Sequence, residues 1–137
     1  MSSRQVLVVE DDEAIRKALM DCVGGHGHLH VDGARDGVDA LHHILTRRYQ
    51  IVILDMMMPK MSGGDFLDSL TAMLSDPSLN FPGDPPAIIV VTGAPSDTLP
   101  SSTIEHRYPN LVRAVLRKPV DLDALMRAVE EEMRHET

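Results

Sequence analysis

Residues 51–55 read Ile-Val-Ile-Leu-Asp, four consecutive apolar side chains followed by an acid. Three of the four apolar residues are β-branched, and β-branched residues are enriched in strands. A short apolar run without polar alternation is typical of a strand that is buried on both faces, as in parallel sheets covered by helices. We therefore predict that Ile51–Leu54 is a buried strand and that Asp55 stands at its carboxyl end.

Apolar runs of the same kind lie on both sides of this stretch. They predict three further buried strands at Val6–Val9, Ala87–Val91 and Leu111–Leu116, and a weaker one at His28–Val31. Between and after the strands, apolar residues recur at helical spacing. The four helical sets are Ile15, Ala18, Leu19, Cys22 and Val23; Val38, Leu41, Ile44 and Leu45; Phe66, Leu67, Leu70, Met73 and Leu74; and Leu122, Leu125, Met126, Val129 and Met133.

Two connections are less regular. Gly24-Gly25 predicts the end of the first helix, but Pro100 and Pro109 limit Pro95–Asn110 to a short or broken helix. The Pro-rich stretch Ser75–Pro86 is too long for an ordinary connection and is interpreted as a surface excursion. Strands that alternate with helices predict an α/β fold, a doubly wound five-stranded parallel sheet with right-handed crossovers. We expect residues 1–137 to form a single domain.

The composition excludes several classes of protein. A chain of 137 residues is long enough for one domain with its own core. The formal charge of −8 and the pI near 5.2 argue against direct binding of nucleic acid, which depends on clustered Lys and Arg. No apolar run approaches the roughly 18 residues of a membrane span. The single Cys22 cannot form an intrachain disulfide, so we expect a reducing, cytoplasmic location.

Reactive side chains collect at the predicted strand ends. Glu10, Asp11 and Asp12 follow the first strand, and Asp55 ends the third strand. Thr92-Gly93 follows the fourth strand and Lys118-Pro119 follows the fifth. Ligands of open α/β sheets bind beyond the carboxyl ends of the strands. Gathered carboxylates repel one another unless a hard cation neutralises them, and Mg²⁺ prefers such oxygen ligands. Asp55 could then act as a nucleophile on phosphorus, with donors from Thr92 and Lys118.

Each of these residues also has a purely structural interpretation. Asp11 or Asp12 could be the N-cap of the first helix. Asp55 and Thr92 could be turn residues, and Lys118 could be a solvated surface lysine. The joint placement at four strand ends favours the functional interpretation, because independent structural explanations would have to coincide.

These residues lie in motifs that resemble the receiver domains of two-component response regulators, with coverage from Gln5 to about Met133. The matching motifs are VLVVEDD at the first strand, Arg35-Asp36-Gly37 to Ala40-Leu41, ILDMMMPKMSG around Asp55, VVTGA at the fourth strand and LRKPVDLDAL at the fifth. The resemblance implies a flavodoxin-like receiver fold with strand order 2-1-3-4-5.

The resemblance also implies roles for the site residues. Asp55 is similar to the phosphoacceptor, and Asp11 and Glu10 are similar to the acids that hold Mg²⁺ directly and through water. The backbone carbonyl of Met57 resembles a further metal ligand. Thr92 and Lys118 resemble the pair that grips the phosphoryl group. The family implies a cis bond between Lys118 and Pro119.

The implied function is a phosphoacceptor signalling switch. Such domains take a phosphoryl group from a phosphohistidine on a histidine kinase or phosphotransfer protein and catalyse their own phosphorylation and dephosphorylation, without acting as enzymes on another substrate. The partners implied are that donor and an unknown output protein, with no direct nucleic acid and no membrane. We expect a monomer or a phosphorylation-dependent dimer. Met1 and the charged carboxyl end favour a stand-alone receiver without an output domain over a piece of a larger protein.

Two departures from the family pattern support alternatives. Val115 stands where the family usually has Tyr or Phe, and Pro95–Asn110 replaces a regular fourth helix, so a binding module that acts without phosphorylation is one alternative. An aspartyl-phosphate-forming phosphohydrolase is another, but such enzymes usually carry a second acid at the position of Met57. Met57 and Ala94 also offer no polar side chain to orient an attacking water, which predicts slow loss of the phosphoryl group.

The remaining motifs are weaker evidence for a function. His26, His28 and His30 would share one face of a strand and could bind a transition metal, but exposed strand residues are the favoured interpretation. His42 and His43 are adjacent on a helix and cannot face the same way. Met56-Met57-Met58 is interpreted as packing rather than as a soft-metal site. Glycine-rich nucleotide-binding motifs do not occur in the sequence.

Overall fold

The computed structural model describes residues 4–25, 28–58, 60–79, 84–93 and 101–134. Five strands and five helices alternate along these described residues. The strands are β1 (Arg4–Val9), β2 (Leu29–Ala34), β3 (Ile51–Asp55), β4 (Ala87–Thr92) and β5 (Val112–Arg117). The helices are α1 (Glu13–Gly24), α2 (Gly37–Thr46), α3 (Gly63–Leu74), α4 (Ser101–Arg107) and α5 (Leu122–Arg134).

The strands form one parallel sheet in the order β2-β1-β3-β4-β5. Both the predicted doubly wound α/β class and the strand order are confirmed. The strands whose boundaries differ most at one end are β1, which begins at Arg4, and β2, which begins at Leu29 and extends to Ala34; β5 is shifted by one residue, to Val112–Arg117. Within the described residues, no helix is both long and apolar enough to cross a membrane.

Alternate side chains of the sheet enter two separate cores, one on each face. On β3, Val52 and Leu54 pack with α2, α3 and α4, whereas Ile51 and Ile53 pack with α1 and α5. All four side chains are at most 1% exposed. This two-sided burial explains why the strand sequence is apolar without alternation, because neither face meets water.

Helices α1, α2 and α3 begin at side-chain caps, as the polar residues before them suggest. Asp12 accepts a hydrogen bond from the Ile15 N–H and is the N-cap of α1, so the structural interpretation of Asp12 is confirmed. Asp36 caps α2 by accepting from the Asp39 N–H. The caps place the amino ends of the helices at the carboxyl edge of the sheet, where the candidate site lies.

The predicted short helix in the fourth connection is present as the seven-residue α4. Residues 94–100, the first part of that connection, lie outside the described residues, as do residues 80–83 of the Pro-rich excursion. Tyr108 follows α4 and anchors it to α3, because its hydroxyl donates to an Asp68 oxygen at 2.6 Å.

A polar network ties the edge strand β2 to the loop before β3. The Tyr49 hydroxyl donates to Asp32 Oδ2 at 2.6 Å, and Arg47 approaches the same oxygen at 3.2 Å. Burial by itself raises the pKa of Asp32, but the hydrogen bond from Tyr49 and the neighbouring His30 and Arg47 hold it below its usual value. The ionised form of Asp32 therefore contributes to folding stability.

Replacing Tyr49 with Phe should lower the free energy of unfolding by about 1–2 kcal/mol at pH 7, because a hydrogen bond to a charged, half-buried carboxylate is lost. A lowered pKa contributes stability above the unfolded value and loses it as the pH falls through the folded value. The cost should therefore shrink below about pH 4. Urea unfolding at pH 7 and at pH 3 measures the cost of Tyr49→Phe at each pH.

Tyr108→Phe is the matched control. Its expected cost is smaller, because the Asp68 side chain is 53% exposed and the Asp32 side chain only 23%. An equal cost of Tyr49→Phe at both pH values would contradict the argument.

Candidate functional site

The register of the sheet brings two acids side by side. The pairing of β1 with β3 ends with Val9 opposite Leu54, so Glu10 and Asp55 are the next residues on adjacent strands. Both side chains are buried, with Glu10 1% and Asp55 2% exposed. Asp55 is the last residue of β3 rather than part of a turn, so the turn interpretation of Asp55 is wrong.

Thr92 and Lys118 reach the same edge from the other side of β3. Thr92 ends β4, is fully buried and pairs with Arg117, so it is not a turn residue either. The backbone N–H of Lys118 donates to the Thr92 carbonyl at 2.9 Å. The peptide bond between Lys118 and Pro119 is cis, as the family resemblance implied. The strand ends that carry Asp55, Thr92 and Lys118 therefore lie side by side at one edge of the sheet.

Asp55 is held by a hydrogen bond at one carboxylate oxygen, whereas the other oxygen has an ion pair with Lys118 but no hydrogen bond from the described residues. Its Oδ1 accepts a hydrogen bond from the backbone N–H of Met57 at 3.1 Å. Its Oδ2 is buried and accepts no hydrogen bond from the described residues, although Lys118 Nζ lies 3.4 Å away. The arrangement therefore holds the carboxylate in one orientation and leaves one oxygen for a ligand.

Lys118 bridges the two buried acids. Its Nζ lies 3.0 Å from Glu10 Oε1, and its side chain is only 25% exposed, so the interpretation as a solvated surface lysine is wrong. Burial alone would lower the pKa of Lys118, but the hydrogen bond to Glu10 and the charge of Asp55 raise it above its ordinary value. Lys118 is therefore fully protonated at neutral pH.

Glu10 is the strongly perturbed acid of the site. Burial raises its pKa to about 7, and the charge of Asp55 acts in the same direction. Hydrogen bonds from Lys118 Nζ and, at 3.1 Å, from the Asp12 backbone N–H oppose the rise. Arg16 holds the backbone of this segment by donating to the Glu10 carbonyl at 2.9 Å. Two carboxylates with one lysine leave an excess of negative charge in a buried place.

That charge suits a divalent cation. Glu10, Asp11 and Asp55 each offer a carboxylate oxygen, and these oxygens lie within 4.8 Å of one another. Asp11 is exposed and does not cap α1, which leaves its carboxylate available. An all-oxygen donor set together with the unsatisfied Asp55 Oδ2 fits a hard ion such as Mg²⁺. The metal-ligand role of the Met57 carbonyl stays a prediction.

Gly63, a motif residue with no predicted role of its own, supports the loop after Asp55. The Gly63 N–H donates to the Met56 carbonyl at 3.1 Å, and a Cβ on Gly63 would lie 2.7 Å from Met56 Cα and 2.8 Å from the Asp55 carbonyl oxygen. The amino end of α3 therefore rests directly on the backbone of the acidic strand end. The Ser62-Gly63-Gly64 sequence signals a helix start, but the close approach has no signal in the sequence.

The methionine run is only partly explained by packing. Met58 is buried in the core and Met56 is partly buried against it, which agrees with that interpretation. Met57 is 61% exposed, so the packing interpretation is wrong for this residue. The loop turns Met57 outward because its N–H points back to Asp55 Oδ1.

The histidine cluster does not form a metal site in the part of the chain that the structure describes, where the acidic group above is the one set with metal-ligand spacing. His28 precedes β2 and is exposed. His30 is directed to Asp32, with Nε2 3.1 Å from Oδ1. His26 lies outside the described residues.

Two buried acids, a threonine and a cis-Pro-linked lysine lie at the carboxyl edge of a doubly wound parallel sheet, which is where open α/β proteins bind their ligands. The model of the response regulator receiver domain matches residues 6–130. The chain therefore belongs to the response regulator receiver domain family of two-component signalling.

Individual relatives and structures agree with this assignment. The chain is 30% identical over 135 residues to the response regulator MprA of Mycobacterium bovis, a match that covers 89% of this chain and 54% of MprA. It is 46% identical over 59 residues to the transcriptional regulatory protein DltR of Streptococcus agalactiae, which covers 43% of this chain and 26% of DltR. The chain thus spans between a quarter and about half of the length of these relatives.

Solved structures show the same fold. A CheY-like response regulator receiver domain from Methanospirillum hungatei superposes with a TM-score of 0.78 at 24% identity, covering 98% of this chain and 96% of that one. The chemotaxis protein CheY4 of Vibrio cholerae superposes with a TM-score of 0.73 at 25% identity, with 95% and 98% covered.

Proposed function

We propose that this chain is a phosphoacceptor switch, in which Asp55 receives a phosphoryl group from a phosphohistidine of a histidine kinase or phosphotransfer protein. The observation that carries the proposal is Asp55 Oδ2, a buried oxygen without a hydrogen bond from the described residues, 3.4 Å from Lys118 Nζ. An unsatisfied buried carboxylate beside a lysine suits a site that is completed by a ligand.

In the proposed transfer, a carboxylate oxygen of Asp55 attacks phosphorus, and the bond between phosphorus and the donor imidazole nitrogen breaks. The bonding electrons return to the imidazole. Negative charge on the transferring group lies on its three equatorial oxygens, so donors aimed at these oxygens stabilise the transition state. The Lys118 ammonium and the Thr92 hydroxyl fill that role, and the Met57 N–H keeps the carboxylate oriented.

Glu10, Asp11 and Asp55, with the backbone carbonyl of Met57, would hold Mg²⁺ at this site. An ion held by these residues would offset the charge of the gathered carboxylates and of the incoming phosphoryl oxygens. Lys118 alone cannot neutralise two buried acids and a phosphoryl group. We therefore expect chelation of divalent metal to stop the transfer.

The free energy available from two donors is sufficient for a switch. Moving a conformational equilibrium from 1:99 to 99:1 requires roughly 5.5 kcal/mol of differential interaction. Hydrogen bonds to a charged group contribute about 1.5–3 kcal/mol each, so new contacts from Thr92 and Lys118 supply about 3–6 kcal/mol. The upper part of this range reaches the free energy that the conformational switch requires.

The two alternative functions explain less of the site. A phosphohydrolase would need a second acid where Met57 stands, and Met57 is an exposed apolar residue. A binding module without phosphorylation accounts for Val115, which is partly buried against the core. It does not account for a buried acid pair held by Lys118 at the carboxyl edge of the sheet.

The context of the switch is also a proposal. The free Cys22 and the acidic composition support a cytoplasmic location, and a monomer or phosphorylation-dependent dimer is expected. We take residues 1–137 to act as one receiver domain that regulates or relays to a partner protein.

A direct test is incubation with Mg²⁺ and acetyl phosphate, followed by intact mass spectrometry. The expected result is the covalent gain of one phosphoryl group, which EDTA prevents. Beryllofluoride, a stable stand-in for the phosphoryl group, should shift the amide resonances of Thr92 and Lys118. If acetyl phosphate and a panel of histidine kinases all fail to modify the chain, and Mg²⁺ does not bind, the proposal is wrong.

Met57 should control the lifetime of the phosphorylated state. Replacing Met57 with Glu or Asn supplies a polar group two residues after the acceptor that can orient an attacking water, and we expect hydrolysis about tenfold faster. Decay of the phosphorylated mass after removal of the donor measures the rate. Met57→Leu, which adds no polar group, is the control. An unchanged rate in both polar variants would refute this role. Ala94, the second apolar position predicted to slow hydrolysis, lies outside the described residues.

A further inference from the structure

Met57 differs from the other methionines of this chain in its exposure. The chain has nine methionines, all but Met1 within the described residues, and Met57 is the only one of these whose side chain is exposed. It is 61% exposed, whereas the flanking Met58 is 7% exposed and Met56 is partly buried. Methionine oxidation follows access of the oxidant to sulfur. Peroxide should therefore oxidise Met57 first.

Met57 lies close to the proposed phosphoacceptor in the chain, so its oxidation would change the surroundings of the site. Its backbone N–H is hydrogen-bonded to Asp55 Oδ1 at 3.1 Å, so its side chain begins beside the acceptor carboxylate. The unoxidised thioether is apolar and only a weak hydrogen-bond acceptor. A chemical change at this sulfur alters the polarity of the side chain two residues after Asp55 without disturbing the core, because the side chain is exposed.

The sulfoxide resembles a specific amino acid in shape. The new oxygen is bonded to Sδ, the atom that takes the place of Cδ in glutamine. It therefore lies at the same number of bonds from the backbone as the glutamine Oε1. Oxidation converts an apolar side chain into a polar one with a strong acceptor oxygen. The modified Met57 thus has the hydrogen-bonding capacity of the polar variants that are expected to orient water.

We propose that Met57 is an oxidation site through which peroxide shortens the lifetime of the phosphorylated chain. In the reaction, the O–O bond of hydrogen peroxide breaks, one oxygen atom is transferred to Sδ, and water is released. The sulfur loses two electrons and the peroxide gains them. The modification is reversible by methionine sulfoxide reductases. The consequence for lifetime rests on the proposed phosphorylation of Asp55, whereas the selective oxidation of Met57 does not.

The first half of the test maps the oxidised residue without any phosphorylation. The chain is treated with limiting hydrogen peroxide, digested, and analysed by peptide mass spectrometry. We expect the sulfoxide on Met57 before it appears on Met56, Met58 or Met61. Met57→Leu should remove this first oxidation event. Preferential oxidation of another described methionine would overturn the proposal.

The second half compares decay of the phosphoryl group after acetyl phosphate has been removed. We expect the oxidised chain to lose the group roughly three- to tenfold faster than the untreated chain, the range that one hydrogen bond contributes. Met57→Gln should lose the phosphoryl group faster even without peroxide, whereas the decay rate of Met57→Leu should not respond to peroxide. Treatment of the oxidised chain with methionine sulfoxide reductase should restore the decay rate of the untreated chain. Equal decay of oxidised and untreated chains would overturn the regulatory role. Failure of the untreated chain to accept any phosphoryl group would instead refute the proposed function.

Discussion

Replacing Asp55 with Asn should abolish covalent incorporation of the phosphoryl group from acetyl phosphate in the presence of Mg²⁺. The amide is uncharged and is not a nucleophile toward phosphorus, and the neighbouring Glu10 cannot substitute because its carboxylate is hydrogen-bonded to Lys118 and the Asp12 N–H. Intact mass spectrometry measures the loss. The expected decrease is complete rather than partial, which makes it the largest effect among our predictions.

The same variant should lose the stabilisation by Mg²⁺. A ligand at 100 times its Kd stabilises the folded state by about 2.7 kcal/mol. We expect thermal unfolding of the unsubstituted chain to respond to Mg²⁺ and that of Asp55→Asn to respond far less. In metal-free buffer the variant should remain folded, because the substitution removes a buried charge that repels Glu10.

Asp21→Asn is the matched control, because it makes the same chemical change at an exposed acid of α1 away from the site. It should accept the phosphoryl group and respond to Mg²⁺ like the unsubstituted chain. Phosphorylation of Asp55→Asn to the normal extent would show that another residue is the acceptor.

Gly63→Ala should lower the free energy of unfolding by about 3 kcal/mol, the upper end of the usual cost of overpacking. The added Cβ would lie 2.7 Å from Met56 Cα and 2.8 Å from the Asp55 carbonyl oxygen. Both are backbone atoms, which cannot rotate away as a side chain can. The strain must move either α3 or the loop that carries Asp55, so we also expect slower phosphorylation. Urea unfolding and intact mass measure the two effects.

The adjacent Gly64 is the control for helix propensity. A Cβ there would come no closer than 3.7 Å to Ser62 Oγ, which is ordinary van der Waals contact. Gly64→Ala should therefore be neutral or stabilise the chain by about 0.5–1 kcal/mol, because alanine loses less backbone freedom on folding. Similar effects of the two substitutions would mean that the approach of α3 to Met56 is not tight.

The local elements were predictable because each depends on nearby residues. The run from Ile51 to Leu54 is apolar because both faces of β3 are covered, and this leaves a pattern in the sequence. The residues at the strand ends were predictable for a related reason. Parallel strands bring their carboxyl ends to one edge, so Asp55, Thr92 and Lys118 had to meet there once the sheet was inferred.

Other features had no local signal. The exposure of Met57 depends on the direction of the loop after β3, which the hydrogen bond to Asp55 Oδ1 sets. The pairing of Asp32 with Tyr49 joins residues 17 positions apart. Neither residue stands in a recognisable pattern, because a hydrogen bond between distant side chains requires no particular spacing in the chain.

By itself the sequence determined the doubly wound class, the edge of the sheet where the reactive groups collect, and the chemical types of those groups. The tertiary structure decided how far they interact: Lys118 Nζ lies 3.0 Å from Glu10 but 3.4 Å from Asp55, and burial raises the pKa of Glu10 to about 7. The physical reason is that periodicity records only which face of an element is buried. Distances, unsatisfied atoms and electrostatic effects arise when several elements pack together.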